Sequence, residues 1–151
     1  MVSNIKRLAT GLLAGAVMLL IGLLISQVFT MLFPALREEY NNTQLFRSWE
    51  DPLMLLYFTQ PFVNGVILAW LWDRSWQALI NKTTLQKMMA FSAAYCVFSL
   101  PGMMMSLASF NVSLIMVLSW SAAIFIESLG AGFIFSRFLR PGPEWQPGKT
   151  N

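Results

Sequence analysis

One acidic side chain, Glu127, interrupts a long apolar stretch and is the residue of this chain with the clearest potential for chemistry. It follows a run from Met88 to Ile126 that contains no Asp, Glu, Lys or Arg. Moving a charged carboxylate into an apolar environment costs several kcal/mol, so this acid should be protonated or should face polar groups. We expect a neutral acid that donates one hydrogen bond between helices, a site for a proton or cation, or a contact with a partner subunit.

Polar residues near Pro61 are the first candidates to face Glu127. Tyr57, Gln60 and Asn64 follow one another at steps of three and four residues, so they share one face of a helix. The proline ring displaces the usual backbone hydrogen bond to the carbonyl of Tyr57 and leaves an acceptor on that face. The candidate polar site comprises Tyr57, Gln60, Asn64, Tyr95, Ser99 and Glu127.

A stripe of small and polar side chains follows the third apolar segment at alternating steps of three and four. It comprises Ser92, Tyr95, Ser99, Gly102 and Ser106. Small residues let helices approach closely, so a packing face is the preferred interpretation of this stripe, and a pore lining is the alternative.

Two other segments carry faces of small residues with the spacing found in paired membrane helices. These candidate packing faces are Gly11, Gly15 and Gly22 in the first segment, and Ser128, Gly132 and Ser136 in the last. If the helices of this chain do not cover these faces, they would support a homodimer or docking to a larger membrane complex.

The composition offers little for catalysis. The chain has no histidine and one cysteine, Cys96, so it lacks the commonest general base and cannot form an internal disulfide. No glycine-rich phosphate loop or pair of matched carboxylates is visible. Methionines near one end of the apolar segments would suit Cu(I), but packing is the preferred interpretation because no Cys or His accompanies them. We therefore predict a protein that is not an enzyme and has no cofactor or resident metal.

Apolar segments long enough to cross a bilayer dominate the chain. The hydrophobic fraction is 56% and the mean hydropathy is +0.58. A hydrocarbon core about 30 Å thick requires roughly 20 helical residues, and the stretch 88–126 is long enough to cross twice. The predicted fold is all-α, an antiparallel bundle of four transmembrane helices within residues 10–136. The predicted spans are about 10–33, 53–72, 88–110 and 113–135.

Local signals place several of these boundaries. Asp51 can cap a helix that has Pro52 in its first turn, and Thr83 and Gln86 have the spacing of a capping box. The long uncharged stretch is divided at Asn111, since a break at Pro101 would leave one piece too short and the other too long for the bilayer.

The distribution of basic residues predicts the orientation. Eight of the ten Lys and Arg residues lie on one side of the spans, in segments 1–9, 73–87 and 137–151. Cytoplasmic loops are enriched in such residues, so both termini should be cytoplasmic, in the inner or plasma membrane, with a flexible tail at 137–151. The opposite loop, 35–51, is expected to lie at the interface as a short amphipathic piece or to dock a partner.

Two functions remain open from the sequence. The preferred one is an accessory subunit that packs against other membrane helices, and the alternative is a small oligomeric transporter or channel that uses Glu127 as a proton or cation site. The expected partners are the lipid bilayer and either other membrane proteins or further copies of the chain. Nucleic acid is not an expected partner, because the basic residues lie at the ends of the spans, where lipid phosphates are their natural contacts.

Overall fold

The structure is a computed structural model that describes residues 3–139, and the described part of the chain is helical without any strand. Four long apolar helices confirm the predicted all-α bundle. They are α1 (Asn4–Leu32), α3 (Leu55–Leu79, preceded by a 3-10 turn at Pro52–Met54), α4 (Thr84–Ser109) and α5 (Leu114–Phe138), and a short helix, α2 (Pro34–Tyr40), follows α1.

The helices run alternately up and down, which gives the bundle two chemically different ends. The end called here the basic end holds the start of α1, the turn at 80–83 and the end of α5, with Lys6, Arg7, Arg74, Lys82, Lys87 and Arg137 close by. The other end, called the loop end, holds α2, the segment 41–54 and the turn at 110–113. Helix α5 extends through Arg137 to Phe138, and the rest of the predicted flexible tail, from residue 140, lies outside the described residues.

Short-range capping explains where three of the helices begin. Asp51 accepts a hydrogen bond from the Leu53 N–H at 2.9 Å, with Pro52 in the first turn. The predicted capping box at the start of α4 is present, because Thr83 and Gln86 exchange side-chain and backbone hydrogen bonds. Ser113 caps α5 through the Met116 N–H. These bonds satisfy amide groups that a helix leaves free in its first turn.

Helix α1 lies at the centre of the bundle and packs on both α3 and α5, while α4 packs chiefly on α5. Glycines bring the backbones of α1 and α3 into contact. A Cβ built on Gly65 would collide with the Gly11 carbonyl oxygen and would lie 2.6 Å from the Gly15 nitrogen. This crossing therefore has no room for a side chain at any of these three positions.

Two clusters of buried side chains hold the ends of the bundle, and most other apolar side chains face outward. The cluster at the basic end is centred on Trp72, Phe91 and Phe135, and the cluster at the loop end includes Leu36 and Met116. Phe98 of α4 is 84% exposed. In the most apolar part of that helix, 11% of the residues are buried. Because exposing so much apolar surface to water is unfavourable, the solvent around these helices is lipid, and the chain is a multi-pass membrane protein.

Candidate functional site

A large cavity opens between α1, α3 and α5 on the side of the loop end. Its volume is about 1100 Å³, and its lining residues fall within 18–31 of α1, 34–49 of α2 and the following loop, 53–61 before and within α3, and 119–127 of α5. Helix α4 contributes Met103. This space is called the Glu127 cavity below, because Glu127 is its innermost residue on α5.

Gly22 provides the room in which the Glu127 carboxylate lies. A Cβ built on Gly22 would stand 2.5 Å from Oε1 of Glu127 and 3.4 Å from its Cδ. Glu127 lies next to the middle of α5, and it makes no hydrogen bond with any residue in the described range 3–139. The carboxylate therefore lies at the cavity wall without a hydrogen-bond donor from the described part of the chain.

The wall formed by α3 contains part of the predicted polar site. Tyr57, Gln60 and Pro61 line the cavity together with Glu127, whereas Asn64 is not among the lining residues. Asn64 lies one turn closer to the glycine crossing, below the inner end of the cavity wall on α3. The predicted face is thus divided: its outer part reaches the cavity and its inner part does not.

The two predicted site residues on α4 lie outside the cavity lining. Ser99 donates its hydroxyl hydrogen to the Tyr95 carbonyl of its own helix at 2.9 Å. Tyr95 packs against the buried cluster of the basic end. Of the two predicted tyrosines, Tyr57 is therefore the one that lines the cavity.

The sequence predictions missed the contribution of α5 and of the outer loop to this site. Trp120 and Glu127 lie seven residues apart, which places both on one face of α5, and both line the cavity. On α1, Ser26 and Thr30 follow Gly22 at steps of four on the cavity side. These spacings are visible in the sequence. Following the Glu127 face of α5 toward the loop end identifies Trp120, and following the Gly22 face of α1 identifies Ser26 and Thr30.

Helix α2 and the loop after it cover the outer part of the cavity and are attached to α5. The indole Nε1–H of Trp120 donates to the Tyr40 hydroxyl at 2.8 Å, and the Phe46 ring meets Trp120 edge-on at 6.4 Å between centroids. The Glu39 carboxylate accepts a hydrogen bond from the Ser113 N–H at the start of α5. These contacts explain why the predicted interfacial segment is folded back over the bundle.

Aromatic side chains close the bundle between Glu127 and the basic end. Trp72 meets Phe91 at 5.1 Å and Phe135 at 5.8 Å between ring centroids, and both Trp72 and Phe135 are fully buried. The Trp72 Nε1–H and the Ser92 hydroxyl are each buried without a hydrogen-bond partner within residues 3–139. The rings of Trp72, Phe91 and Phe135 are called the aromatic plug below. An unpaired buried polar group costs about 1–3 kcal/mol, so the Trp72 Nε1–H, which has no partner within residues 3–139, makes the closed plug less stable.

A partly buried ion pair joins two helices beyond the plug. The Arg7 Nη2 on α1 lies 2.7 Å from the Asp73 Oδ2 on α3, and each side chain is 13% exposed. Because a charge left unpaired in such a place would be costly, this pair keeps the basic ends of α1 and α3 together.

The predicted small-residue faces are covered by helices of this chain. Gly11 and Gly15 meet α3, and Gly22 meets Glu127. On α5, Ser128 and Ser136 are buried, and a Cβ on Gly132 would lie 3.4 Å from the Met88 Cα of α4. In contrast, a Cβ on Gly102 of the α4 stripe would have no atom within 4 Å. The half of α4 nearer the loop end therefore carries a small-residue position, Gly102, that no other helix of the described residues covers.

The fold and the cavity define a small multi-pass helical membrane protein with a carboxylate in an open cavity between its helices. Within residues 3–139, no three Cys, Asp or Glu side chains are grouped closely enough to hold a metal ion. Comparison of the chain with family models, with curated proteins and with solved structures gave no match.

Proposed function

We propose that this protein is a small transporter or channel in which Glu127 binds a proton or a cation that enters through the cavity. The observation that carries the proposal is the position of the Glu127 carboxylate, which faces a cavity of about 1100 Å³ without a hydrogen-bond donor from the described residues. A charged carboxylate in that environment needs either a bound proton or a counter-cation. The proposal is not enzymatic and requires no cofactor.

The proposal includes an orientation in which the basic end faces the cytoplasm. It also assigns the protein to the inner or plasma membrane. Of the eight Lys and Arg residues within 3–139, six lie at that end. The cavity then opens away from the cytoplasm, and the aromatic plug at Trp72 separates Glu127 from the cytoplasmic side.

Cysteine labelling tests this orientation. With Cys96 replaced by alanine, Thr43→Cys probes the loop end and Lys82→Cys probes the basic end. We expect a membrane-impermeant maleimide to label Thr43→Cys in intact cells and Lys82→Cys only after permeabilisation. The reverse labelling pattern would show that the cavity opens toward the cytoplasm.

The plug supports transport over simple binding. Among residues 3–139, the Trp72 Nε1–H and the Ser92 hydroxyl have no hydrogen-bond partner, and both residues lie in the halves of α3 and α4 nearer the basic end. If the plug opens, water or the transported species can satisfy both groups, and part of the cost of opening is offset. A plug made only of apolar side chains would offer no such compensation.

Proton flux into vesicles tests the proposal. The purified chain is reconstituted in liposomes that contain a pH-sensitive dye, and a membrane potential drives protons inward. Entry of Na⁺ and of K⁺ is followed in the same vesicles with dyes selective for those ions. We expect at least one of these ions to cross at a rate about tenfold above that of protein-free vesicles. Glu127→Gln should return the rate to that baseline, because the amide keeps the size of the side chain but cannot exchange a proton.

Glu38→Gln is the matched control, since it makes the same chemical change at an exposed residue of α2 that lies outside the cavity lining. This variant should carry ions like the wild-type protein. Equal flux in wild-type and Glu127→Gln vesicles, or no flux above the protein-free level, would overturn the proposal.

An accessory role is the second candidate, and the open face of α4 favours it. Phe98 is 84% exposed, and the space next to Gly102 is free. The small-residue faces of α1 and α5 offer it no support, because helices of this chain cover them. If the chain is an accessory subunit, its complex in mild detergent should have a defined mass above that of the chain alone. The bulky substitution Gly102→Trp should then release the chain from that complex.

A further inference from the structure

The Glu127 cavity is far larger than a proton or a dehydrated inorganic ion requires. Its volume of about 1100 Å³ is at the upper end of the range for pockets that hold organic molecules. The side chains that line it also differ from an inorganic cation site, which would surround the ion with several oxygen ligands at fixed distances. The lining therefore bears on which cation the carboxylate meets.

Aromatic rings from three parts of the chain surround the outer half of the cavity. Trp120 of α5 is joined to Tyr40 and Phe46, while Trp49 meets Tyr57 of α3 edge-on at 5.9 Å between centroids. All five side chains line the cavity. The face of an aromatic ring attracts a cation electrostatically, and the attraction grows when the cation is shielded from water.

Methionines supply much of the remaining apolar surface. Met31, Met54 and Met103 line the cavity and come from three different helical segments. Thioether side chains are flexible and polarisable, so they adapt to apolar groups of varied shape. Together with the rings, they form a surface suited to the substituents of an organic ion rather than to a hydrated metal ion.

Three hydroxyl groups of the wall take part in hydrogen bonds that leave them as acceptors. The hydroxyl hydrogens of Thr30 and Ser119 are donated to carbonyls of their own helices, at 3.0 and 2.7 Å. The Tyr40 hydroxyl accepts from Trp120. With Glu127 as the cavity's single carboxylate within the described residues, the interior favours one positive charge.

Two arginines lie at the mouth, and one of them is paired with an acid. Arg37 and Arg47 line the mouth, and the Arg47 guanidinium is paired with the Asp51 carboxylate at 2.8 Å. The other acids of the loop 35–51, Glu38, Glu39 and Glu50, are not among the lining residues. Selection for a cation therefore depends on the interior of the cavity and not on its mouth.

We propose that the cavity binds a monovalent organic cation with apolar substituents, whose charge is neutralised by Glu127 and whose substituents contact the aromatic rings and methionines. This inference rests on the proposed function, because it assigns a substrate class to the same carboxylate. It adds that the outer half of the cavity, and not the acid alone, selects the ligand.

Binding of tetraphenylphosphonium to the full-length purified protein in lipid nanodiscs tests this inference. We expect saturable binding to the wild-type protein and a loss of affinity of at least tenfold in Glu127→Gln. Tyr57→Leu, which removes a ring but keeps apolar volume, should weaken binding about fivefold. Trp70→Leu is the control, since Trp70 lies on the same helix outside the cavity, with its ring against Arg74.

Tetramethylammonium provides the comparison that isolates the apolar substituents. It carries the same charge with little apolar surface, and we expect it to bind at least tenfold more weakly. Equal binding of the two cations, tetraphenylphosphonium binding that ignores Glu127, or no saturable binding would each overturn the inference. If any of these occurs while Glu127-dependent ion flux persists, the substrate class is wrong and the proposed function stands. If that flux is also absent, both proposals fail.

Discussion

Gly22 of α1 faces Glu127 of α5 so closely that a Cβ built on the glycine would lie 2.5 Å from the carboxylate Oε1. The atoms it would meet are at the end of a flexible side chain, and not in a backbone. A substituent at Gly22 can therefore be accommodated if the carboxylate rotates away. The glycine determines where the acid lies in the cavity more than it determines whether the helices pack.

Gly22→Ala should accordingly alter the site and preserve the fold. We expect a several-fold loss of Glu127-dependent ion flux or cation binding, with thermal unfolding of the detergent-solubilised protein changed by only a few degrees. Gly130→Ala is the matched control, because its Cβ would meet the end of another flexible side chain, Ile21 Cδ1, also at 2.5 Å. If both alanine variants reduce flux equally, crowding between α1 and α5 would be responsible rather than the position of the carboxylate.

Gly65→Ala should destabilise the fold itself. The added methyl group would meet backbone atoms of Gly11 and Gly15, which cannot move without separating α1 from α3. Overpacking of this kind costs about 1–3 kcal/mol, measurable as a shift in unfolding by SDS followed by circular dichroism. Gly102→Ala, with nothing within 4 Å of its Cβ, should be neutral or stabilising by up to about 1 kcal/mol. Equal stability of the two variants would contradict the tight crossing.

The hydrogen bond between Trp120 and Tyr40 should hold α2 against α5. Tyr40→Phe removes the acceptor, and Trp120→Phe removes the donor of this 2.8 Å bond. Each change should cost about 0.5–1.5 kcal/mol and increase hydrogen exchange of the α2 amides. In a double-mutant cycle, the double variant should lose less stability than the sum of the single variants. Strict additivity would indicate that the two side chains act independently.

Protonation of Asp51 should loosen the start of α3. The hydrogen bond from the Leu53 N–H, assisted by the Arg47 guanidinium, lowers the pKa of Asp51 below its ordinary value of 3.8. Because the folded pKa is below the unfolded one, the carboxylate stabilises the turn above the unfolded value. That stabilisation is lost as the pH falls through the folded value.

An NMR titration of the Leu53 amide can follow this transition. We expect a midpoint below 3.8 in the wild-type protein and no such transition in Asp51→Asn. Arg47→Gln should raise the midpoint part of the way, since the backbone hydrogen bond is the larger cause. A wild-type midpoint at or above 3.8 would show that the cap is not formed.

Several local features of the fold could be predicted because they depend on residues close together in the chain. The capping box of Thr83 and Gln86 is one example, since both partners lie within one helical turn. The position of Pro101 inside α4 is another, because the bilayer thickness limits how the uncharged stretch can be divided. These features require no knowledge of which helices are neighbours.

The candidate site was predictable only in part. Spacing places Tyr57 and Gln60 on one face, and both line the cavity. It does not say how far along that face the cavity extends, and Asn64 lies beyond its lining. The same limit applies to Tyr95 and Ser99, whose helix packs against α5 and leaves Met103 as its residue in the cavity. The rotation of each helix about its axis depends on contacts with its neighbours.

Four apolar lengths of chain, interrupted by a single acid at Glu127 and matched to the thickness of hydrocarbon, were enough to establish a helical membrane bundle, because each helix satisfies its own backbone hydrogen bonds. Packing between helices distant in the chain determined the rest. Contacts at Gly11, Gly15 and Gly65 join α1 to α3, Gly22 receives the acid from α5, and α2 folds back over the space between them. The cavity around Glu127 exists because of these long-range contacts, which no spacing within a single helix encodes.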